Sequence, residues 1–243
     1  MKKANSGKPN RVRTIALDVI IVVTLAIAGV SAYKIYDIFK NYKADQNTYS
    51  NIQSEARAGD DIDWDHLQEI NSDIVGWIRI DGTNIDYPVV KSHDNDEYLH
   101  TLFDGSWGNA GTIFVDCNTA DPFNQFNTVV YGHHMKDGSM FENLKNYKDA
   151  DYALDHGEME LLTPSQDYRL ELAAFLNCPS DSKIYDNNIS GSYREDYLKA
   201  IKKYAEYTTD VQLTENDKIV VLSTCAYEYE GARYVIVGKL VRK

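Results

Sequence analysis

Near its C-terminus the chain reads Leu222-Ser223-Thr224-Cys225, directly after the apolar run Ile219-Val220-Val221 and eight residues before Arg233. A cysteine at the end of a strand can serve as a nucleophile, and a cation fixed on the next strand can meet the charge that develops on an attacked carbonyl. A candidate acid/base lies about ninety residues upstream, where Tyr131-Gly132-His133 ends another apolar run. A thiol, an imidazole and a guanidinium at three strand ends can form one site for acyl transfer. Arg suits the third position because its fork is rigid and always charged. Ser223 and Thr224, beside the thiol, are candidate substrate-binding residues.

Each of these residues also has an ordinary reading. Cys225 can be a small buried hydrophobe, the common fate of a strand cysteine. Against this, polar Tyr-Glu-Tyr-Glu-Gly follows Cys225, which places the thiol near a rim. Arg233 can be a strand-end partner for one of many carboxylates. His133 and His134 are adjacent, so in extended backbone their side chains face opposite ways and do not chelate one metal together. One can face the site while the other faces solvent. His66, His93, His100 and His156 fit no metal motif and read as surface or loop residues. No metal or cofactor is expected.

The elements that must position these groups begin near Val75. Alternation over Gly76–Ile80, a turn at Asp81-Gly82 and an extended run over Asn84–Val90 predict a hairpin. Further strands are predicted at 111–116, 127–132, 157–163, 168–177, 218–224 and 233–241. About eight short strands in one region predict a closed or nearly closed barrel, mostly β with some α. Helical interruptions are expected near 96–102 and 139–149. Tyr193 to Tyr207 carries a stripe of Tyr197, Leu198, Ile201 and Tyr204, with Ala200 and Ala205, at helical spacing, an insertion before the strand with Cys225. Asp63 is a plausible N-cap for a short helix over 63–71.

Composition narrows the setting. The 243 residues carry a net charge of −12, which excludes nucleic acid as a natural partner, since phosphate backbones require a basic face. Lys2, Lys3, Lys8, Arg11 and Arg13 are all basic, so removing their +5 leaves −17 on the remainder. After them, Thr14 to Ala32 is a mostly apolar stretch of 19 residues, about the length that crosses a ~30 Å hydrocarbon core. The expected organisation is a cytoplasmic basic N-terminus at 1–13, a transmembrane signal-anchor at 14–32, a stalk with N-terminal helices at 33–72, and a catalytic barrel at 73–243. The positive flank puts the catalytic part outside the membrane. A cleaved signal peptide, ending at a small-residue site near Ala28 or Ala32, is the alternative. Cys117, Cys178 and Cys225 are an odd number of cysteines, so an exported chain keeps at least one free thiol.

The order His, Cys, Arg is unlike papain-like peptidases, where Cys precedes His. It resembles a sortase, specifically of class B. The resemblance rests on Gly76-Trp77-Ile78, Asp81 to Val90, Asp94-Asn95 through Tyr98-Leu99, Ala110 to Phe114, Tyr131-Gly132-His133-His134-Met135 and Leu222-Ser223-Thr224-Cys225, in that order behind an anchor. It covers roughly Ile70 to the C-terminus. It implies a sortase-type eight-stranded β-barrel, a helical insertion, and a transpeptidase of Gram-positive cell surfaces. Such enzymes cleave a C-terminal sorting motif of exported proteins after its Thr, similar to Asn-Pro-x-Thr-x for class B. They join the Thr carbonyl to an amine of the cell-wall precursor. The resemblance makes Cys225 the nucleophile, His133 the acid/base and Arg233 the oxyanion or substrate-positioning group. His134 receives no role, and no Asp or Asn stands out as a partner for His133.

Two other readings remain open at this level. One is a cysteine peptidase that hydrolyses cell-wall peptides. The other is a non-catalytic anchored barrel that binds surface proteins.

Overall fold

The computed structural model describes residues 11–58 and 61–243. Most of the basic segment expected at 1–13 falls outside the described residues. The chain divides into two units, Met1–Lys43 and Ala44–Lys243.

The first helix, α1 (Arg11–Glu55), contains no Pro and only Gly29, so nothing in it interrupts the backbone ladder. In the first unit its large apolar side chains, from Val12 to Phe39, are exposed. An 18-residue window there has mean hydropathy 2.5, and the helix is long and apolar enough to cross a membrane. The same helix continues through the segment expected as a stalk. Residues 44–55, within the second unit, are packed rather than free. Asp45, Tyr49 and Ile52 are buried, the Tyr49 hydroxyl donates to the Gly111 carbonyl, and Gln53 Nε2 donates to the Asp86 carbonyl at 2.7 Å.

Two short strands follow, β1 (Arg57–Ala58) and β2 (Asp61–Ile62), then α2 (Trp64–Ile70). The Asp63 carboxylate accepts from the His66 amide at 3.1 Å, the cap that the sequence indicates. The barrel strands are β3 (Ile74–Arg79), β4 (Asp86–Val90), β5 (Ile113–Val115), β6 (Asn127–Tyr131), β7 (Glu158–Leu162), β8 (Tyr168–Pro179), β10 (Ile219–Cys225) and β11 (Ala232–Arg242). Their order is β11-β10-β6-β5-β4-β3-β7-β8, and β8 pairs back onto β11, so the expected eight-stranded barrel is closed. The turn between β3 and β4 has Gly82 at φ 76°, a left-handed position that favours glycine.

One expectation needs correction. The helix predicted to reach Tyr207 ends earlier: α4 is Tyr193–Tyr204, and Ala205–Thr208 forms a ninth strand, β9, on the edge of β8. Tertiary packing overrides the helical stripe there, because Tyr207 stacks on Phe175 at 5.9 Å and its hydroxyl donates to the Tyr147 carbonyl at 2.6 Å. The helical stretch near 139–149 is a 3₁₀ segment over Glu142–Lys148, followed by a separate helix, α3 (Ala150–Asp155).

The insertion covers one face of the barrel wall. Tyr197, Ala200 and Ile201 of α4 are buried with Val129, Leu176, Val221 and Val235. Each large apolar side chain buried this way contributes about 1.5–3 kcal/mol. Side chains alternate along β10, so Ser223 and Cys225 follow Ile219 and Val221 on this same outer face. The site therefore lies against the insertion and not inside the barrel.

Candidate active site

β6 and β10 are parallel neighbours, with Tyr131 opposite Ser223 in the last pair. Parallel strands end at the same rim, and His133 and Cys225 each lie two residues beyond that pair. On its other edge β10 is antiparallel to β11, with Cys225 directly opposite Arg233. Directly opposed residues share a face, with Cβ atoms roughly 4.5–5.5 Å apart. Two register relations thus bring together three groups that are far apart in sequence.

Cys225, His133 and Arg233 line one open cavity of about 260 Å³, together with Ser223, Thr224, Leu99, Asn95, Tyr131 and Tyr185. A larger cavity of about 310 Å³ lies beside Arg57, Arg79, Glu160 and Lys243. Those charges pair with one another or with Asp86, and its lining has no Cys, Ser, Thr or His. The chemistry points to the smaller cavity.

His133 is half-buried, and its Nε2 lies 2.8 Å from the Leu99 carbonyl oxygen. A carbonyl only accepts, so Nε2 carries the hydrogen and the neutral ring keeps its lone pair on Nδ1. This main-chain oxygen is the orienting partner that the sequence did not reveal. Burial pushes the His133 imidazole below its ordinary pKa; the Leu99 hydrogen bond acts in the opposite sense, and charge on His100 adds to the lowering. His100 is exposed in its loop, as expected. It nonetheless stacks on His133, with centroids 6.0 Å apart and planes 24° apart, and on Trp107 beyond it at 6.0 Å.

Arg233 Nη1 donates to the Ala232 carbonyl at 3.0 Å. Among the described residues, none of its nitrogens has a carboxylate oxygen within 4.0 Å. No strand-end salt bridge forms among the described residues, which leaves the guanidinium charge to act on the cavity. Its field opposes the burial that raises the Tyr131 and Tyr185 hydroxyls.

The two candidate substrate-binding hydroxyls are already engaged. Thr224 Oγ1 donates to the Gly132 carbonyl at 2.8 Å, and Ser223 Oγ is 2.9 Å from the Tyr185 hydroxyl. Both residues are buried, so their visible work is to hold the strand and the cavity wall. Other lining residues were not placed in the site by sequence reasoning. Tyr131 and Tyr185 stack at 6.0 Å with planes 17° apart. The Tyr131 hydroxyl donates to Asp116 Oδ2 at 3.0 Å, and Asn95 Nδ2 donates to the same oxygen at 3.1 Å. Tyr131 and Asn95 stand within motifs already quoted, which is the signal that was available. His134 is half-buried and partnered: its Nδ1 donates to the Cys225 carbonyl at 2.8 Å, and its ring packs against Tyr227.

A closed barrel of this topology, with a Cys–His–Arg cavity on its outer face, defines a sortase-type cysteine enzyme. A family model for the sortase domain matches residues 78–241, and the chain belongs to the sortase family. Its relatives are of class B. It is 40% identical over 180 residues to sortase B of Listeria monocytogenes, covering 73% of each chain. It is 29% identical over 233 residues to sortase B of Staphylococcus aureus, covering 93% of this chain and 96% of that one. Among solved structures, sortase B from Bacillus anthracis in complex with AAEK1 superposes with TM-score 0.75 at 33% identity, covering 84% of this chain and 100% of the other. A Staphylococcus aureus sortase B–substrate complex gives TM-score 0.76 at 26% identity, covering 84% and 99%. The chain is a class B sortase, a cysteine transpeptidase of the kind that anchors surface proteins.

Proposed function

We propose that this enzyme cleaves an Asn-Pro-x-Thr-x-like sorting motif after its Thr and transfers the Thr carbonyl to an amine of the cell-wall precursor. Cys225 is the nucleophile, His133 the acid/base, and Arg233 the donor to the oxyanion. The observation that carries the reading is the shared cavity of these three groups, with the Arg233 guanidinium free of a carboxylate partner among the described residues.

In the first half-reaction the Cys225 thiolate attacks the Thr carbonyl, and Arg233 stabilises the tetrahedral oxyanion. Protonated His133 gives its proton to the leaving amine as the C–N bond breaks, which leaves a thioester and a neutral imidazole. In the second, the incoming amine attacks the thioester carbonyl and loses a proton to His133. The C–S bond then breaks and returns the thiolate–imidazolium pair. The apolar helix supports a single-pass arrangement, with residues 1–13 cytoplasmic, 14–32 in the membrane and the unit carrying the barrel outside.

The test is incubation with a sorting-motif peptide, with and without an oligoglycine or diaminopimelate-containing amine. Mass spectrometry is expected to find an acyl adduct on Cys225 and a ligated product. Cleavage that never yields a ligated product would favour a hydrolytic peptidase, and a Cys225→Ala variant that cleaves as the wild type does would sink the reading.

A further inference from the structure

We infer that His134 is a positioning residue for Cys225, a side-chain clasp that carries the β6–β10 pairing past the point where main-chain hydrogen bonds end. The inference rests on the reading of Cys225 as the nucleophile.

Along this edge, the bond from the Gly132 amide to the Ser223 carbonyl, 3.1 Å, extends the parallel ladder past the last strand pair. Side chains then take over. Thr224 Oγ1 reaches back to the Gly132 carbonyl at 2.8 Å, and His134 Nδ1 reaches across to the Cys225 carbonyl at 2.8 Å. The accepting oxygen belongs to the residue that carries the thiol, so the clasp fixes the peptide plane on which Cβ and Sγ depend.

The clasp is itself held. The His134 ring meets Tyr227 edge-on at 5.3 Å and Tyr234 at 6.3 Å, and its main chain pairs with Met140. Without this donor the Cys225 carbonyl stands at the mouth of the β10–β11 loop, where Tyr227, Glu228, Tyr229 and Glu230 are all exposed. A misplacement of about 1 Å at reacting atoms lowers a rate by roughly 10²-fold. A carbonyl only accepts, so His134 Nδ1 carries the hydrogen in this contact. Adjacent histidines thus divide the work: one faces the reacting atoms, and the next holds the nucleophile's backbone.

Three variants of the full-length chain separate the hydrogen bond from ring packing. His134→Phe keeps an aromatic ring without a donor, His134→Gln keeps a donor without the ring, and His134→Ala keeps neither. Peptide cleavage gives kcat and KM, and iodoacetamide labelling of Cys225 reports the thiol without any substrate. The expected result is kcat lowered about 10- to 100-fold in the Phe and Ala variants, with KM little changed, and most of it restored by Gln. Wild-type kcat in the Phe variant, or a Gln variant as slow as Ala, would overturn the inference. The Gln–Ala comparison stands alone if the Phe variant does not fold. A wild-type enzyme that cleaves normally after complete alkylation of Cys225 would instead remove the underlying reading.

Discussion

The His133 imidazole and the Leu99 carbonyl are joined through Nε2 at 2.8 Å. That contact decides which nitrogen does chemistry: Nε2–H is committed, so protons enter and leave through Nδ1. Nitrogen-15 NMR of the free enzyme should show the Nε2–H tautomer.

The direction of the His133 shift sets a pH dependence. Its folded pKa lies below the ordinary 6.5 because burial disfavours the cation. The unfolded chain therefore binds the proton more readily. Stability from this group is complete above about 6.5 and is lost as pH falls through the lowered folded value. Thermal melts from pH 7.5 to pH 5 should show a steeper loss for wild type than for His133→Gln. Parallel curves would mean that the imidazole is not desolvated.

His100 should tune that same equilibrium. Its charge opposes a charge on His133 across the stacked rings. His100→Phe keeps a stacking partner and removes the charge, so the His133 titration should move to higher pH. NMR titration measures it directly, and the pH–rate profile should shift in the same direction.

Arg233 should resist conservative replacement. Losing an oxyanion donor costs on the order of 10²–10³ in kcat, which is expected for Arg233→Met. Arg233→Lys should recover only part of this, because an ammonium on a flexible stem does not reproduce the fork. If both variants keep wild-type kcat and lose only KM, the guanidinium binds substrate and does not stabilise the oxyanion.

Gly132 should tolerate no side chain. A Cβ built there lies 2.6 Å from the Phe141 ring, and the next residue is His133. Gly132→Ala is expected to destabilise by about 1–3 kcal/mol through overpacking. Pairing it with Phe141→Ala, which removes the obstructing Cγ and Cδ2, should in urea unfolding cost less than the sum of the two single changes.

Most of the barrel was legible because its strands are short, apolar and bounded by turn residues. The Asp63 cap and the α4 stripe were legible for the same local reasons. Closure was expected from the strand count, but the particular β8–β11 pairing that makes it was not legible, since pairing between distant strands leaves no local mark. The helix overran into β9 because Tyr207 lies at helical spacing from Tyr204 and at strand spacing from Ala205, and packing on Phe175 decided between them. In the site, Cys225, His133 and Arg233 were visible by residue type and order. The Leu99 partner was not, because a main-chain carbonyl is the same in every residue. The place of His134 was not legible for a related reason: alternation puts neighbouring rings on opposite faces but does not say what each face meets.

Residues 44–55 of α1 belong to the folded barrel unit. Asp45 accepts from the Ala110 amide at 3.0 Å, and Tyr49 and Ile52 are buried. A proteolytic cut anywhere before Ala44, including near Ala28 or Ala32, would therefore release the barrel unit with its packing intact. A cut after Glu55 would instead strip away part of its core.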